Sequence, residues 1–152
     1  MPAVKTKYFG KIPYEAGSVI EFPAGLPAFE ERRKFVLIQL PKTHPLLFLQ
    51  SLDAPDVCFP VLRALAVDPQ YRLQLAKEDL RRLDLPTSRQ PRVGEDIECL
   101  AVVALRKDGA TANLLAPVII NLRKMQAVQT VGGDSYSLRH PLRPPDKAGA
   151  CS

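Results

Sequence analysis

Phe35-Val36-Leu37-Ile38-Gln39-Leu40 is the clearest buried strand of the chain, entered through Arg32-Arg33-Lys34 and stopped by Pro41. A run this short, bounded by charge and by proline, has the length of a β-strand rather than a helix. Leu46 to Leu52 repeats the pattern across a loop that suits a hairpin. Working outward, Tyr8 to Ile12 reads as a first strand ended by Pro13, and Ser18 to Phe22 as a second. Downstream, Cys58 to Leu62 is a strand whose Pro60 argues for an edge position or a bulge. Tyr71, Leu73 and Leu75 alternate with Arg72 and Gln74, the period of a half-exposed strand. Ile97 to Leu105 is a long apolar strand followed by the turn Lys107-Asp108-Gly109, and Ala112–Ala116 with Val118–Asn121 continue the pattern. Gln126 to Val131 reads as the last core strand, before Gly132-Gly133-Asp134.

Proline decides how these pieces can be joined. Fifteen prolines in 152 residues leave few intervals for a long helix, because proline cannot donate to a helix or a sheet ladder. Lys77 to Leu83 is the one good helix candidate, with Glu78 and Asp79 at its start and Arg81-Arg82 at its end, as the helix dipole prefers. Phe29 to Arg33 suits a short helical turn. Many short strands with frequent turn signals make the chain mostly all-β, a single barrel or sandwich with one or two short helices. The domain is expected over residues 1–143, with a short disordered tail over 144–152.

Composition narrows the function classes. No apolar run approaches the length of a membrane span, and Met1 to Lys5 lacks a secretory apolar stretch, so a cytoplasmic protein is expected. The formal net charge is +5, but basic groups such as Arg32-Arg33-Lys34 and Arg81-Arg82 have acidic neighbours, which reads as solvated surface. Catalysis is disfavoured. His44 and His140 have no companion at metal-ligand or triad spacing, and the glycines form no phosphate-binding loop. Cys58 and Cys99 lie in apolar strand patterns, where a buried inert thiol is expected, and no CxxC pair exists. No cofactor, metal or small-molecule substrate is indicated. Phe22, Phe35, Phe48 and Phe59 read as core, leaving Tyr8, Tyr14, Tyr71 and Tyr136 as the more exposed aromatics. They are not clustered, so direct binding of RNA by a basic β-barrel is only the competing reading.

Other motifs are not required by strand patterning. The loop Pro23-Ala24-Gly25-Leu26-Pro27 holds one leucine between rigid turns, either as a core plug or as a presented anchor. Gln50-Ser51 interrupts an apolar run, and Asn113 and Asn121 close the ends of an apolar block. A buried amide must be hydrogen-bonded, so each asparagine ties a strand end to a loop or faces a partner, the structural role being favoured.

These stretches carry a resemblance. Tyr8-Phe9-Gly10, Glu21-Phe22-Pro23-x-Gly25-Leu26-Pro27-x-Phe29-Glu30, Leu49-Gln50-Ser51-Leu52, Asn113 to Asn121 and Leu138-Arg139-His140-Pro141-Leu142 resemble the flagellar assembly factor FliW family, in order, from about Lys7 to Leu142. The resemblance implies a small barrel-like cytoplasmic protein without catalytic activity. It implies two protein partners: flagellin, which such proteins chaperone, and the translational repressor CsrA, whose hold on flagellin mRNA they antagonise. Binding of the two in exchange would couple flagellin translation to flagellum assembly. Neither a membrane nor direct nucleic-acid contact is implied. Phe22, Pro23, Gly25, Leu26, Pro27, Gln50, Asn113, Asn121, Arg139 and His140 become the partner-binding candidates. Two features depart from the family pattern. FliW members are typically acidic whereas this chain is basic, and Arg63-Ala64 stands where an Asp-Pro turn often follows Phe59-Pro60-Val61. An acidic body would attract a basic RNA-binding partner, and this chain lacks that attraction.

Overall fold

A computed structural model describes residues 2–131 and 136–142. The Gly132-Gly133-Asp134 turn and the tail from Pro144, expected to be disordered, fall outside them.

The chain opens with a hairpin of β1 (Ala3–Thr6) and β2 (Gly10–Pro13) and continues through β3 (Ile20–Glu21), β4 (Lys34–Gln39), β5 (Leu47–Ser51) and β6 (Cys58–Arg63). Two short helices follow, α1 (Ala64–Val67) and α2 (Lys77–Arg82). The remaining strands are β7 (Ile97–Arg106), β8 (Gly109–Ala112), β9 (Val118–Asn121), β10 (Gln126–Gln129) and β11 (His140–Leu142). β7-β6-β5-β4-β3-β10-β9 are neighbours in that order, and β9 returns to β7, so seven strands close into a barrel. Closure removes the raw sheet edges that invite aggregation. Among the described strands of the barrel only β3 and β10 run parallel, through the single pair Glu21–Gln126. β7 is the pivot: its first half pairs with β9, its middle with β6, and its end leaves the barrel to pair with β8. β8 in turn holds β11.

Strand alternation explains why several strands are apolar on both faces. In β4, Phe35 belongs to the barrel interior with Phe22, Leu49 and Val61, while Val36 and Ile38 pack under Val4 and the β1–β2 hairpin. In β9, Val118 and Ile120 point inward, and Ile119 joins Ile97 and Cys99 against Leu80 and Leu83 beside α2. The wall is therefore covered from outside by the hairpin on one side and by the α1–α2 segment on another. A strand buried on both faces reads as a continuous apolar run.

Several sequence expectations are corrected. Tyr8 to Ile12 is not one strand: Tyr8 sits in the turn of a hairpin, where the Phe9 N–H donates to Thr6 Oγ1 (2.8 Å) and Gly10 takes φ +70°. Phe29 to Arg33 goes no further than a single turn, closed by Arg32 N–H on Phe29 O (3.0 Å), and just before it Leu26 and Phe29 make an isolated bridge around Ala28, which holds φ +68°. Tyr71 to Leu75 keeps the alternation of buried and exposed side chains but belongs to no ladder. Two of its N–H groups go to side chains instead, Arg72 N–H to Tyr136 Oη (2.7 Å) and Leu75 N–H to Gln90 Oε1 (2.8 Å), while Tyr71 N–H donates to Asp68 O (3.0 Å). Tyr71 itself is buried, whereas Phe48 and Phe59 are only half-buried. Pro60 is in an interior strand: it pairs with Phe48 of β5, and the β6–β7 ladder begins one residue later, at Val61. β10 is followed by β11, which the Pro141 between His140 and Leu142 hid from pattern reading.

Candidate protein-binding groove

The proline loop owes its shape to Gly25, which holds φ +70° while its N–H donates to Phe22 O (2.9 Å). A side-chain carbon there would lie 2.5 Å from Glu30 Cα and 2.6 Å from Glu30 O. The loop is thus folded back on its own continuation. Phe22 (1% exposed) and Leu26 (6%) are driven into the barrel core, which makes Leu26 a plug rather than a free anchor. Pro23 and Pro27 remain exposed, with Phe29 at the surface.

Beside this loop lies a groove of about 300 Å³. Leu26, Pro27 and Phe29 form one wall; Leu49, Phe59 and Val118 lie at its apolar base; Val102, Ala104 and Arg106 of β7, with Thr111, form the other wall. Asn113, Gln129, Leu138 and Arg139 complete the rim. Val102, Ala104 and Arg106 share one face because side chains two apart on a strand point the same way. Phe29 stacks edge-on against Phe59, with ring centroids 5.3 Å apart, tying the loop wall to the sheet. Asn113 Oδ1 accepts from Ala116 N–H (2.9 Å) and Gln129 Nε2 donates to Ala116 O (3.0 Å), so both amides are anchored at one end.

Of the sequence candidates, Leu26, Pro27, Asn113 and Arg139 meet in this groove. Gly25 lines a smaller hollow on the other side of the loop, with Glu30, Arg82 and Ala127. Gln50 and Asn121 are buried, and their amide nitrogens donate to internal backbone carbonyls. Asn121 Nδ2 donates to Leu83 O (2.7 Å) while its Oδ1 accepts from Arg123 and Lys124 N–H, locking α2 to the β9–β10 turn. His140 is half-buried in β11, paired with Ala112. Pattern reading missed Val102, Ala104, Arg106, Thr111 and Gln129. The available signal was that β7 stays apolar beyond the length needed to wall the core, ending in an exposed stretch.

The thiols are poorly placed for chemistry. Burial, with the Glu98 charge adding to it, pushes Cys99 up to about 12, and burial raises Cys58 as well. Burial likewise raises the Tyr71 phenol beside Cys99. Alkylation of Cys99 by iodoacetamide at pH 8, followed by mass spectrometry, is expected to run about a thousandfold slower in the native protein than in denaturant, since the thiolate is the reactive form. Rapid native labelling of Cys99 would contradict this. Among the described residues no group of three His, Cys, Asp or Glu is placed to hold a metal ion, and no helix is long and apolar enough to cross a membrane.

Comparison with known proteins places the chain among close likenesses. A family model described as FliW protein matches residues 3–142. A flagellar assembly factor FliW from Syntrophomonas wolfei is 34% identical over 142 residues, covering 91% of this chain and 87% of its own. That of Bacillus subtilis is 30% identical, covering 91% and 95%. A crystal structure of a flagellar assembly factor FliW superposes with a TM-score of 0.81 at 30% identity, over 94% of this chain and 98% of the other.

Proposed function

The chain belongs to the FliW family of flagellar assembly factors, and from that membership we propose that it is a non-enzymatic cytoplasmic regulator that binds flagellin and CsrA in exchange. While flagellin is abundant it occupies the protein; when secretion depletes flagellin, the protein binds CsrA and releases flagellin mRNA for translation. The scheme requires only that the two ligands exclude each other, so that free flagellin sets how much of the protein is available to CsrA. The observation that supports it most is likeness along the whole described barrel, joined to an accessible apolar groove of the kind protein partners fill.

The test is fluorescence anisotropy of a labelled flagellin-leader RNA with the cognate CsrA bound, as this protein is titrated in. Anisotropy is expected to fall to the free-RNA value once the protein exceeds CsrA, and added flagellin is expected to reverse the fall. A CsrA–RNA complex that does not respond would remove the anti-CsrA role. A second reading, direct RNA binding, draws on the hairpin, where Lys5 and Lys11 face each other across β1–β2 and Tyr8 is 66% exposed. Like charges directly opposite are unfavourable without a counter-charge. Bare RNA titrated in parallel tests that reading: a rise in its anisotropy that collapses with added salt would support it.

A further inference from the structure

We propose that the groove between the proline loop and the end of β7 is the flagellin site, and that it takes a segment of flagellin in which a carboxylate stands beside apolar side chains. The inference rests on flagellin being a partner, as proposed above.

The base of the groove supplies the apolar half of that chemistry. Leu49 and Val118 are fully buried at the bottom, while Phe29 and Leu138 stand 37% and 51% exposed at the lip. Exposed apolar side chains flanking an apolar base leave a surface that gains by being covered. The volume is at the small end of binding pockets and suits a few side chains of a peptide segment rather than a globular surface.

The rim supplies the charged half. Arg106 and Arg139 both line this groove and also the adjoining hollow, so the two arginines border the same opening. Among the described residues neither is in an ion pair, a state they share with Arg33, Arg72, Arg81 and Arg123; what sets them apart is that both border an apolar groove. Among the described residues no carboxylate lines the groove. Asp108 lies in the adjoining hollow and is in no ion pair among the described residues. Two arginines that no described carboxylate pairs, beside an apolar channel, favour an incoming carboxylate, which their forked donors can hold in bidentate fashion. Asn113 Nδ2 and Gln129 Oε1 make no hydrogen bond among the described residues, and offer one donor and one acceptor to a peptide backbone. The same rim argues against CsrA as occupant, because a protein that grips RNA phosphates presents positive charge, which Arg106 and Arg139 would repel.

Cognate flagellin is titrated by isothermal calorimetry into the wild-type protein, R106E/R139E, and R81E/R123E, a pair outside the groove with the same change in net charge. The groove variant is expected to lose at least tenfold in affinity while its melting temperature stays near wild type, and the control is expected to stay within about twofold. Leu138→Asp, at an exposed position, is expected to weaken flagellin in the same way without charge reversal at an arginine. In the anisotropy assay R106E/R139E is expected to keep its effect on the CsrA–RNA complex and to lose its reversal by flagellin. If R106E/R139E binds flagellin like the wild type, or if both double variants weaken it equally, the groove assignment is overturned while flagellin remains a partner. If the wild-type protein binds no flagellin, the partnership itself fails and the assignment falls with it.

Discussion

Replacing Gly25 by alanine is expected to lower the midpoint of thermal unfolding by more than 10 °C, whereas the same change at Gly10 should cost only a few degrees. Both glycines hold φ +70°, so both variants carry the left-handed backbone penalty of about 1–2 kcal/mol. For a domain of this size that corresponds to a shift of roughly 3–8 °C. The difference lies in what surrounds them. Nothing is within 4 Å of a side-chain carbon at Gly10, while at Gly25 it would overlap the Glu30 backbone. A clash between two backbones cannot be relieved by rotating a side chain, so the loop must move. Movement would withdraw Phe22 and Leu26 from the core, which brings the expected loss to about 4–5 kcal/mol or more. Scanning calorimetry of the two variants decides the matter. Equal shifts would show that the loop yields freely and is no scaffold for the groove.

The second large effect is expected at Gln50, where one atom is exchanged. Gln50 is fully buried, and its Nε2 faces four backbone oxygens: Ser51 O at 3.0 Å, Pro55 O and Val57 O at 3.3 Å, and Ala54 O at 3.4 Å. The amide thereby organises the whole β5–β6 turn, at the cost of leaving its own Oε1 without a partner among the described residues. Gln50→Glu places a carboxylate among those acceptors. A charge buried without a counter-ion costs about 3–5 kcal/mol, and the group escapes by holding its proton. Its folded pKa must then lie above the unfolded value of about 4.3. The sign follows: the variant is closest to wild type below that value and loses stability as the pH rises through the raised folded pKa. Urea unfolding at pH 4.5 and pH 8 should show a gap between variant and wild type that widens at the higher pH. A gap independent of pH would mean that the carboxylate finds water or a donor, and that the cradle is looser than its distances imply.

The barrel was largely legible in the chain because its strands are short, apolar and punctuated by proline. Phe35 to Gln39 and Ile97 to Arg106 were recognisable on that ground alone. What escaped was pairing. Tyr71 to Leu75 has the same alternation as a ladder strand, yet Tyr136 and Gln90 side chains take the N–H groups of Arg72 and Leu75, and these partners come from well down the chain. Periodicity reports which side of a segment is buried and is silent on what its N–H groups meet. The same blindness applies to Pro60, whose missing donor is harmless because the β7 ladder starts only at Val61. The groove was half legible. Leu26, Pro27, Asn113 and Arg139 stood out as motifs, but nothing local in the chain brings Arg106 beside Arg139. That meeting depends on β7 running out of the barrel to carry β8 and β11, a tertiary event.

The meeting of β3 with β10 bears on how the protein is made. β3 has two residues, and one residue pair joins it to a strand that the ribosome delivers only after most of the domain has been translated. Until Gln126 has emerged, β3 to β6 can zip up by successive antiparallel neighbours, but the sheet stays open along two margins. Contacts between distant parts of a chain form slowly, and open sheet margins are sticky while they wait. The vulnerable interval for this protein is therefore late in its own synthesis, and its length is set by the speed of elongation through the second half of the message.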